Sequence, residues 1–372
     1  MSGESGRLMN QGSKNRAGAG TNEYDPFVRG RLPVGVRTIE AHDTTRDCLF
    51  PCEVWYPAAA EFAGQDVAPG TQDFFTVSSG STRQGQWAVR DAAALRGTYP
   101  LVIFSHPSGG HRRTATFLCT HLSSHGYVVA AMDHSEAVIA KFARKSIESD
   151  EQKAARWEAV IANRVPDIRF LLDHLLSDGV WESEAGLDAA RIGIVGHSLG
   201  GWTALAATAL DSRIRAVAAL APGGSSQPKP GILPVKLTFN RGRDVPTLYL
   251  VAENDASLPL DGMYEIFERT PVRKQMAILR RADHMHFMDN VEEMHEIVRA
   301  MSFPTELAWL PKEMRPIAEL CSGKEAHLFV RGLTLCHMDS VLTRRAEARR
   351  FLAGDVEAEL AVRGVDVIMH KP

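Results

Sequence analysis

Runs of apolar residues alternate with helix-like segments along most of this chain. Five runs are typical of strands buried in a parallel sheet: 99–105, 127–133, 191–195, 214–221 and 246–252. Helices are predicted between them: 114–125, 166–176 and 263–269. Pro166 opens the second of these, whose apolar residues recur at helical spacing. The alternation predicts an α/β fold with a mostly parallel sheet, covered by helices on both faces and carrying helical insertions.

The ends of the chain modify this picture. Residues 34–40 alternate as an edge strand does, and 49–57 follow as an antiparallel partner. We expect a flexible tail over 1–23 and a single domain over 24–372, with insertions at about 135–163 and 290–335. The clearest helices near the end are 338–352 and 356–362, and the segment 306–311 is interpreted as packing rather than as a lid.

Composition narrows the class of protein. The chain has 372 residues, 44% of them hydrophobic, and a formal net charge of -3, which gives no field to gather nucleic acid. The amino terminus has no apolar core of the length that a signal peptide needs, and no apolar run elsewhere reaches the length of a membrane span, so a cytoplasmic protein without membrane span is expected. The cysteines are odd in number and scattered, which favours free thiols: Cys48, Cys52, Cys119, Cys321 and Cys336. The oligomeric state stays open.

A Gly-x-Ser-x-Gly motif spans 196–200 and has Ser198 at its centre. A strand precedes it and an Ala-rich helical run follows it, which is the setting of a nucleophile turn. Such a turn holds the serine hydroxyl out from the sheet edge, and the amide of Leu199 points at the same place. Ser198 is therefore the predicted nucleophile, against the alternative of a structural glycine turn.

The loop 106–110, His-Pro-Ser-Gly-Gly, follows the 99–105 strand. Acyl transfer needs two amide donors around the developing oxyanion, and the nucleophile turn supplies only that of Leu199. Pro107 has no N–H, so Ser108 is the predicted second donor. An ordinary Pro/Gly turn is the competing interpretation.

Two later strand ends offer an acid and a base. Asp255 follows the 246–252 strand, two strands after the nucleophile, where a triad in this order keeps its carboxylate. The strand 276–279 leads to His284 and His286, and either one could accept the proton of Ser198. The His-x-His spacing also occurs in zinc sites, but no third ligand lies nearby in sequence, so no metal and no cofactor are predicted.

The chain resembles the α/β-hydrolase superfamily, and within it the dienelactone-hydrolase-like branch with platelet-activating-factor acetylhydrolases and bacterial polyester hydrolases. The matching stretches are 32–39 with 54–58, 99–106, 124–134, 196–201 and 282–287. The resemblance implies Ser198 as nucleophile, His284 as base, and the amides of Leu199 and Ser108 as oxyanion donors. It places the acid either after the 214–221 strand, where this chain has Ala221-Pro222, or in a Glu-Asn-Asp segment, which favours Asp255.

The expected function is a serine carboxylic-ester hydrolase that forms an acyl-enzyme on a small, neutral, short-acyl ester. Pocket residues are expected around the triad: Trp202, His286, Phe287 and His106, with the loop 223–243. Trp202 could equally belong to the core, and His286 could hold the structure instead of the substrate. Two other classes compete: another acyl-transfer, lactone or C–C bond hydrolase on the same triad, and a non-catalytic binding protein.

Overall fold

The computed structural model describes residues 24–77, 83–142, 148–177, 181, 184–239 and 242–371. The predicted tail, 1–23, and part of the predicted insertion, 143–147, lie outside the described residues. Within the described ranges the strands are β1 Val34–Asp43, β2 Cys48–Pro57, β3 Asp73–Phe75, β4 Gln84–Gln86, β5 Val89–Arg90, β6 Gly97–Ser105, β7 Val128–Met132, β8 Ala185–His197, β9 Ile214–Leu220, β10 Thr247–Ala252, β11 Lys274–Leu279 and β12 Val367–His370.

The α-helices of the described ranges lie mostly between these strands and after β11. They are α1 Thr116–Ser124, α2 Ser135–Val138, α3 Asp150–Leu176, α4 Leu199–Leu210, α5 Leu260–Arg269, α6 Val291–Ala300, α7 Leu310–Glu313, α8 Gly323–Met338, α9 Ala346–Ala353 and α10 Val356–Ala361. A short 3-10 helix covers His284–Phe287, and a π-helical turn covers Asp339–Thr343.

One sheet of ten strands organises the molecule, in the order β12-β11-β10-β9-β8-β6-β7-β2-β1-β5. The six strands from β11 to β7 are mutually parallel, whereas β12, β2 and β1 pair antiparallel with their inner neighbours. The predicted mostly parallel sheet is therefore confirmed. The antiparallel pairing of β1 with β2 is as predicted, although β1 is not the edge strand, because β5 pairs outside it.

Helices cover both faces of the sheet, and the sheet separates two buried clusters. Leu118 of α1 and Phe329 of α8 belong to the cluster on one face. Leu171 of α3, Leu205 of α4 and Ile266 of α5 belong to the cluster on the other. Continuous apolar strands are required here because both of their faces meet helices.

Two helix boundaries predicted from the sequence are wrong. Pro166 does not open a helix but lies inside α3, which begins at Asp150 behind a Ser149–Gln152 capping box. A proline removes one backbone hydrogen bond within a helix, and α3 nevertheless continues because its buried side chains hold it on the sheet. The predicted helix 338–352 is divided, because the π-helical turn ends at Arg344, whose φ of 57° stops it.

The region after β11 contributes to the main core. Phe329, Val330 and Leu333 of α8 are buried in the same cluster as α1, and β12 extends the sheet beside β11. The helix predicted over 356–362 is confirmed as α10. The division of the chain into one domain with two insertions stays a prediction.

Candidate active site

The connection order places two loops side by side at the carboxyl ends of the central strands. The chain runs from β6 to β7 on one side of β6 and then returns to β8 on its other side. Ser105 at the end of β6 pairs with Gly196 near the end of β8, so the loop after β6 and the turn after β8 are neighbours. Such a switch point is where open α/β sheets bind their ligands.

Ser198 occupies a strained turn between β8 and α4. Its backbone has φ 58° and ψ -118°, a conformation that non-glycine residues rarely adopt. A Cβ on Gly196 would lie 2.0 Å from the oxygen of Gly200, and one on Gly200 would lie 2.0 Å from the oxygen of Ser105. Glycines are therefore required on both sides of Ser198, as the motif predicted. The serine itself keeps partial exposure.

Asp255 and His284 lie in contact although they follow different strands. Their strands β10 and β11 are parallel neighbours that end in register at Ala252 and Leu279. The Nδ1 atom of His284 lies 2.6 Å from Oδ2 of Asp255. The other carboxylate oxygen accepts hydrogen bonds from the backbone amides of Ser257, at 2.9 Å, and Leu258, at 2.8 Å. These bonds fix the carboxylate, which in turn fixes the imidazole through its Nδ1 atom.

Charge and burial act in opposite directions on His284. Burial lowers the pKa of its imidazole, but the adjacent carboxylate of Asp255 outweighs it and raises the pKa above its ordinary value. The ring of His284 also lies against that of His197, with 4.6 Å between the centroids. Because His197 immediately precedes Ser198, this contact places the imidazole beside the strained turn.

Three other carboxylates in this part of the chain, those of Asp244, Asp261 and Asp289, are not paired with His284. Asp244 binds the backbone amide and the guanidinium of Arg273. Asp261 lies in the first turn of α5. Asp289 accepts hydrogen bonds from Thr116 at the start of α1, and burial raises its pKa to about 6. Of these three carboxylates and Asp255, Asp255 alone contacts His284.

The loop after β6 forms a tight turn. The amide of Gly110 donates to the oxygen of Pro107 over 3.0 Å, and Gly109 has a φ of 72° that favours glycine. Ser108 is exposed at the tip of this turn. Leu199 is the first residue of α4, where backbone amides have no partner within the helix.

The four residues expected to line a substrate pocket are largely buried, and their role in a pocket stays a prediction. Trp202 is 5% exposed and donates its indole N–H to the oxygen of Lys236 over 2.7 Å. His106 is 1% exposed and Phe287 has no exposed surface. His286 is also fully buried, with Nδ1 2.8 Å from Asp283 and Nε2 3.0 Å from the oxygen of Cys321. Adjacency in sequence to the triad did not reveal that these side chains point inward.

Sequence reasoning missed a second buried pair, His295 and Asp283, next to His284. Nδ1 of His295 on α6 lies 2.6 Å from Oδ2 of Asp283, and its Nε2 lies 2.9 Å from the oxygen of Arg315. Nε2 has a hydrogen-bond acceptor, and Nδ1 lies at ion-pair distance from a carboxylate, although without hydrogen-bond geometry, so the protonated imidazole suits the site. Burial opposes this charge, but Asp283 raises the pKa of His295 above its ordinary value. Asp283 precedes His284, so this pair anchors the turn that carries His284.

The His-x-His pair does not form a metal site. His284 faces Asp255, whereas His286 faces Asp283 and the backbone of Cys321. Among the described residues, no three His, Cys, Asp or Glu side chains are arranged to hold a metal ion. All five cysteines are free thiols, as expected.

A cavity of about 530 Å³ opens elsewhere, on the β1 side of the sheet. Its lining combines guanidinium, carboxylate and phenyl groups and includes none of the predicted site residues: Thr38, Asp73, Phe74, Phe75, Thr76, Arg83, Arg90, Asp91 and Arg113. None of the helices in the described ranges is both long enough and apolar enough to cross a bilayer.

Several known proteins are similar to this chain in sequence. The family model of platelet-activating factor acetylhydrolase, isoform II, matches residues 34–168. The platelet-activating factor acetylhydrolase of Cavia porcellus is 24% identical over 281 residues, which cover 66% of this chain and 62% of that protein. The cutinase est1 of Thermobifida alba is 24% identical over 195 residues, 52% of this chain and 55% of the cutinase. The chain thus spans less than two thirds of the length of these relatives.

A solved structure agrees over a longer stretch. The ferulic acid esterase from Streptomyces cinnamoneus superposes with a TM-score of 0.60 and 26% identity, covering 85% of this chain and 92% of the esterase. Together these similarities confirm the resemblance to the branch of acetylhydrolases and polyester hydrolases that the sequence indicated.

Proposed function

We propose that this chain, an α/β-hydrolase of the acetylhydrolase and polyester-hydrolase branch, is a serine carboxylic-ester hydrolase. The observation that carries the proposal is the contact of 2.6 Å between His284 and Asp255, beside the strained turn that presents Ser198. A hydroxyl, an imidazole and a carboxylate in this order constitute the machinery of acyl transfer. The names of the similar proteins, an acetylhydrolase, a cutinase and an esterase, support the same chemistry.

The proposed reaction has two steps. Oγ of Ser198 attacks the ester carbonyl while Nε2 of His284 takes its proton, and Asp255 stabilises the imidazolium that forms. The amides of Leu199 and Ser108 bind the oxyanion of the tetrahedral intermediate. His284 then protonates the departing alcohol and leaves an acyl-enzyme. Water, deprotonated by the same imidazole, releases the acid and restores the serine.

The packing around Ser198 supports a small substrate with a short acyl group. Trp202 and Phe287 are buried, and the loop side chains Val235 and Leu237 close over the same core cluster as Trp202. Because apolar side chains surround this part of the core, we propose that the acyl site beside the nucleophile is short. The acyl side must fit here, whereas the alcohol side can extend toward solvent along the loop 223–239. Neutral esters suit an acyl site built of apolar side chains.

A covalent probe and an ester panel test the proposed function. We expect a fluorophosphonate to label Ser198 and p-nitrophenyl acetate or butyrate to be hydrolysed. Labelling without ester hydrolysis, together with cleavage of an amide, a lactone or a C–C bond, would move the chain to another reaction on the same triad. A chain that is neither labelled nor active on any of these would be a binding protein.

The five free thiols support a reducing compartment, and we propose a cytoplasmic location. Fractionation of cells that produce the protein, with a periplasmic or secreted marker as control, tests it. Recovery in the oxidising fraction would contradict this location.

A further inference from the structure

A buried group of polar side chains underlies the loop that carries Ser108. Arg164 and Asp167 of α3, with His134 and Glu136 after β7, form this supporting cluster. Three of them have no exposed surface: Arg164, Asp167 and His134. Burying a guanidinium costs several kcal/mol unless it is paired and hydrogen-bonded, so its presence requires a reason.

The guanidinium of Arg164 reaches the backbone of the loop. Its Nη1 donates to the oxygen of His106 over 2.7 Å, and its Nη2 lies 3.4 Å from the oxygen of Pro107. Nη2 is also paired with the carboxylate of Glu136, which balances the charge. Arg164 therefore holds two successive carbonyl groups on the interior side of the loop.

His106 adds to the same arrangement through its own ring. Its Nδ1 donates to the oxygen of Pro107 over 2.8 Å, while its Nε2 accepts from the backbone amide of His134 at 3.1 Å. The oxygen of Pro107 thus receives donors from Arg164, His106 and Gly110. Turning this carbonyl to solvent would break all three bonds.

The orientation of the Pro107 carbonyl determines that of the next amide. The carbonyl of Pro107 and the N–H of Ser108 belong to one planar trans peptide group, so they point in opposite directions. With the oxygen directed at Arg164 in the interior, the N–H of Ser108 is directed away from Arg164, toward the outside of the loop. A peptide flip would replace this donor by an oxygen and abolish its use for an oxyanion.

The rest of the cluster keeps Arg164 and the strand end in place. Oγ of Ser105 lies 2.8 Å from Nε2 of His134, whose Nδ1 lies 3.1 Å from Oδ2 of Asp167. This is a Ser-His-Asp arrangement, yet all three side chains are fully buried and cannot meet a substrate. Its role is to fix the end of β6 from which the loop starts.

We propose that Arg164 is a positioning residue for the oxyanion hole, since it fixes the Pro107–Ser108 peptide with the Ser108 amide facing the reacting carbonyl. The inference rests on the proposed function. It predicts that loss of Arg164 lowers the rate of the chemical step rather than the binding of substrate, because the donor acts on the transition state.

The test compares turnover per labelled serine in three variants. Arg164→Met removes the donors, Arg164→Lys keeps the charge, and Glu136→Gln leaves Arg164 without its counter-charge. We expect kcat per titrated site to fall about 10- to 100-fold in Arg164→Met, with KM changed by less than about threefold, and to recover partly in Arg164→Lys. The matched control is Arg156→Met, because Arg156 lies on the same helix and pairs with Glu148 away from the loop.

The acidic limb of the pH profile should stay where wild type has it, because His284 and Asp255 are untouched. A structural role alone would lower the fraction of labelled protein and leave kcat per site normal, which would overturn the inference. If Arg164→Met does not fold, the same measurement is made on Glu136→Gln. A fall in kcat per titrated site would then support the inference, and a normal kcat per site would overturn it. Wild-type labelling and turnover test the proposed function separately, and an inactive wild type would overturn both.

Discussion

Nδ1 of His284 lies 2.6 Å from Oδ2 of Asp255, although 29 positions separate the two residues in the chain. Parallel pairing of β10 with β11 produces this contact, since both strands end at the same edge of the sheet. The imidazole is thereby oriented before any substrate arrives, and the first predictions concern the residues around it.

Replacing the nucleophile should abolish turnover without unfolding the protein. Ser198→Ala removes only a partly exposed hydroxyl, and we expect kcat/KM for a short ester to fall about a thousandfold or more. Ser212→Ala, at an exposed position before β9, is the control and should retain wild-type rates and labelling. Label found on another serine, with Ser198 unmodified, would contradict the assignment.

Asp255→Asn should be far more damaging to catalysis than the same change at other acids. The amide cannot stabilise the imidazolium, and it favours the wrong tautomer of His284, so a loss of about 10⁴ in kcat is expected. Asp244→Asn, which weakens the contact with Arg273, should leave kcat within about twofold. An equal loss in Asp289→Asn would show that the acid has been chosen wrongly.

The activity should fall at acid pH with a midpoint above the ordinary histidine value of about 6.5. His284 must be neutral to take the proton, and Asp255 raises its pKa, so the active form is lost as pH falls through that raised value. In Asp255→Asn the residual activity should have a lower midpoint. The pH profile of kcat/KM on a neutral ester measures both midpoints.

EDTA should leave the activity and its pH profile unchanged, because no metal is expected at this site. Inhibition by EDTA that zinc reverses would contradict a metal-free site.

His295 should stabilise the fold at low rather than high pH. Its pKa is raised in the folded state, so its contribution is complete below the unfolded pKa and is lost as pH rises through the folded one. We expect His295→Gln to lower the free energy of unfolding by about 2–4 kcal/mol at pH 6 and by less at pH 9, measured by urea denaturation.

His337→Gln provides a control of opposite sign. Burial lowers the pKa of His337 to about 4, so the folded protein resists its protonation, and wild type loses stability as pH falls below about 6.5. Its substitution should therefore cost less at pH 6 than at pH 9. The same pH trend in both variants would contradict the ion pair between His295 and Asp283.

Acyl-chain length should limit the substrate. With the side chains beside Ser198 buried, kcat/KM should fall from acetyl or butyryl esters to longer ones by about tenfold or more per few methylenes once the site is full. Lengthening the alcohol of an acetate ester is the matched comparison and should have a smaller effect. A rate that rises from butyryl to octanoyl would contradict a short acyl site.

The sequence predicted the strands and the nucleophile turn because each has a local signature. Strands such as β7 and β10 meet helices on both faces, so they consist of continuous apolar residues. No side chain fits at Gly196 or Gly200, because backbone atoms lie too close to both. The glycines of the motif therefore indicate this close packing directly. The contact between Asp255 and His284 could be anticipated because parallel strands end at the same edge of the sheet.

The features that the sequence did not predict depend on contacts between residues far apart in the chain. The sequence near Pro166 does not indicate that α3 continues on both sides of this proline. The contacts that compensate for the lost backbone hydrogen bond come from the sheet. Nothing near His106 or Phe287 indicates burial, because the direction of a side chain is set by partners far away in sequence. The same holds for Arg164, whose carbonyl partners lie 58 and 57 positions away.

Because the side chains around Ser198 are buried, a mutant library meant to change the substrate range should vary other positions. Saturation at Trp202, His106 or Phe287 samples core packing, where most replacements leave a cavity or a clash and cost stability. Positions 225–233 are exposed or half-buried, so their side chains can be exchanged at little cost to the fold. The exception is Gly231, which has a φ of 77° and where a Cβ would lie 2.9 Å from the oxygen of Glu306. Variation there, with the glycines around Ser198 left intact, explores new alcohol groups without sacrificing yield of folded protein.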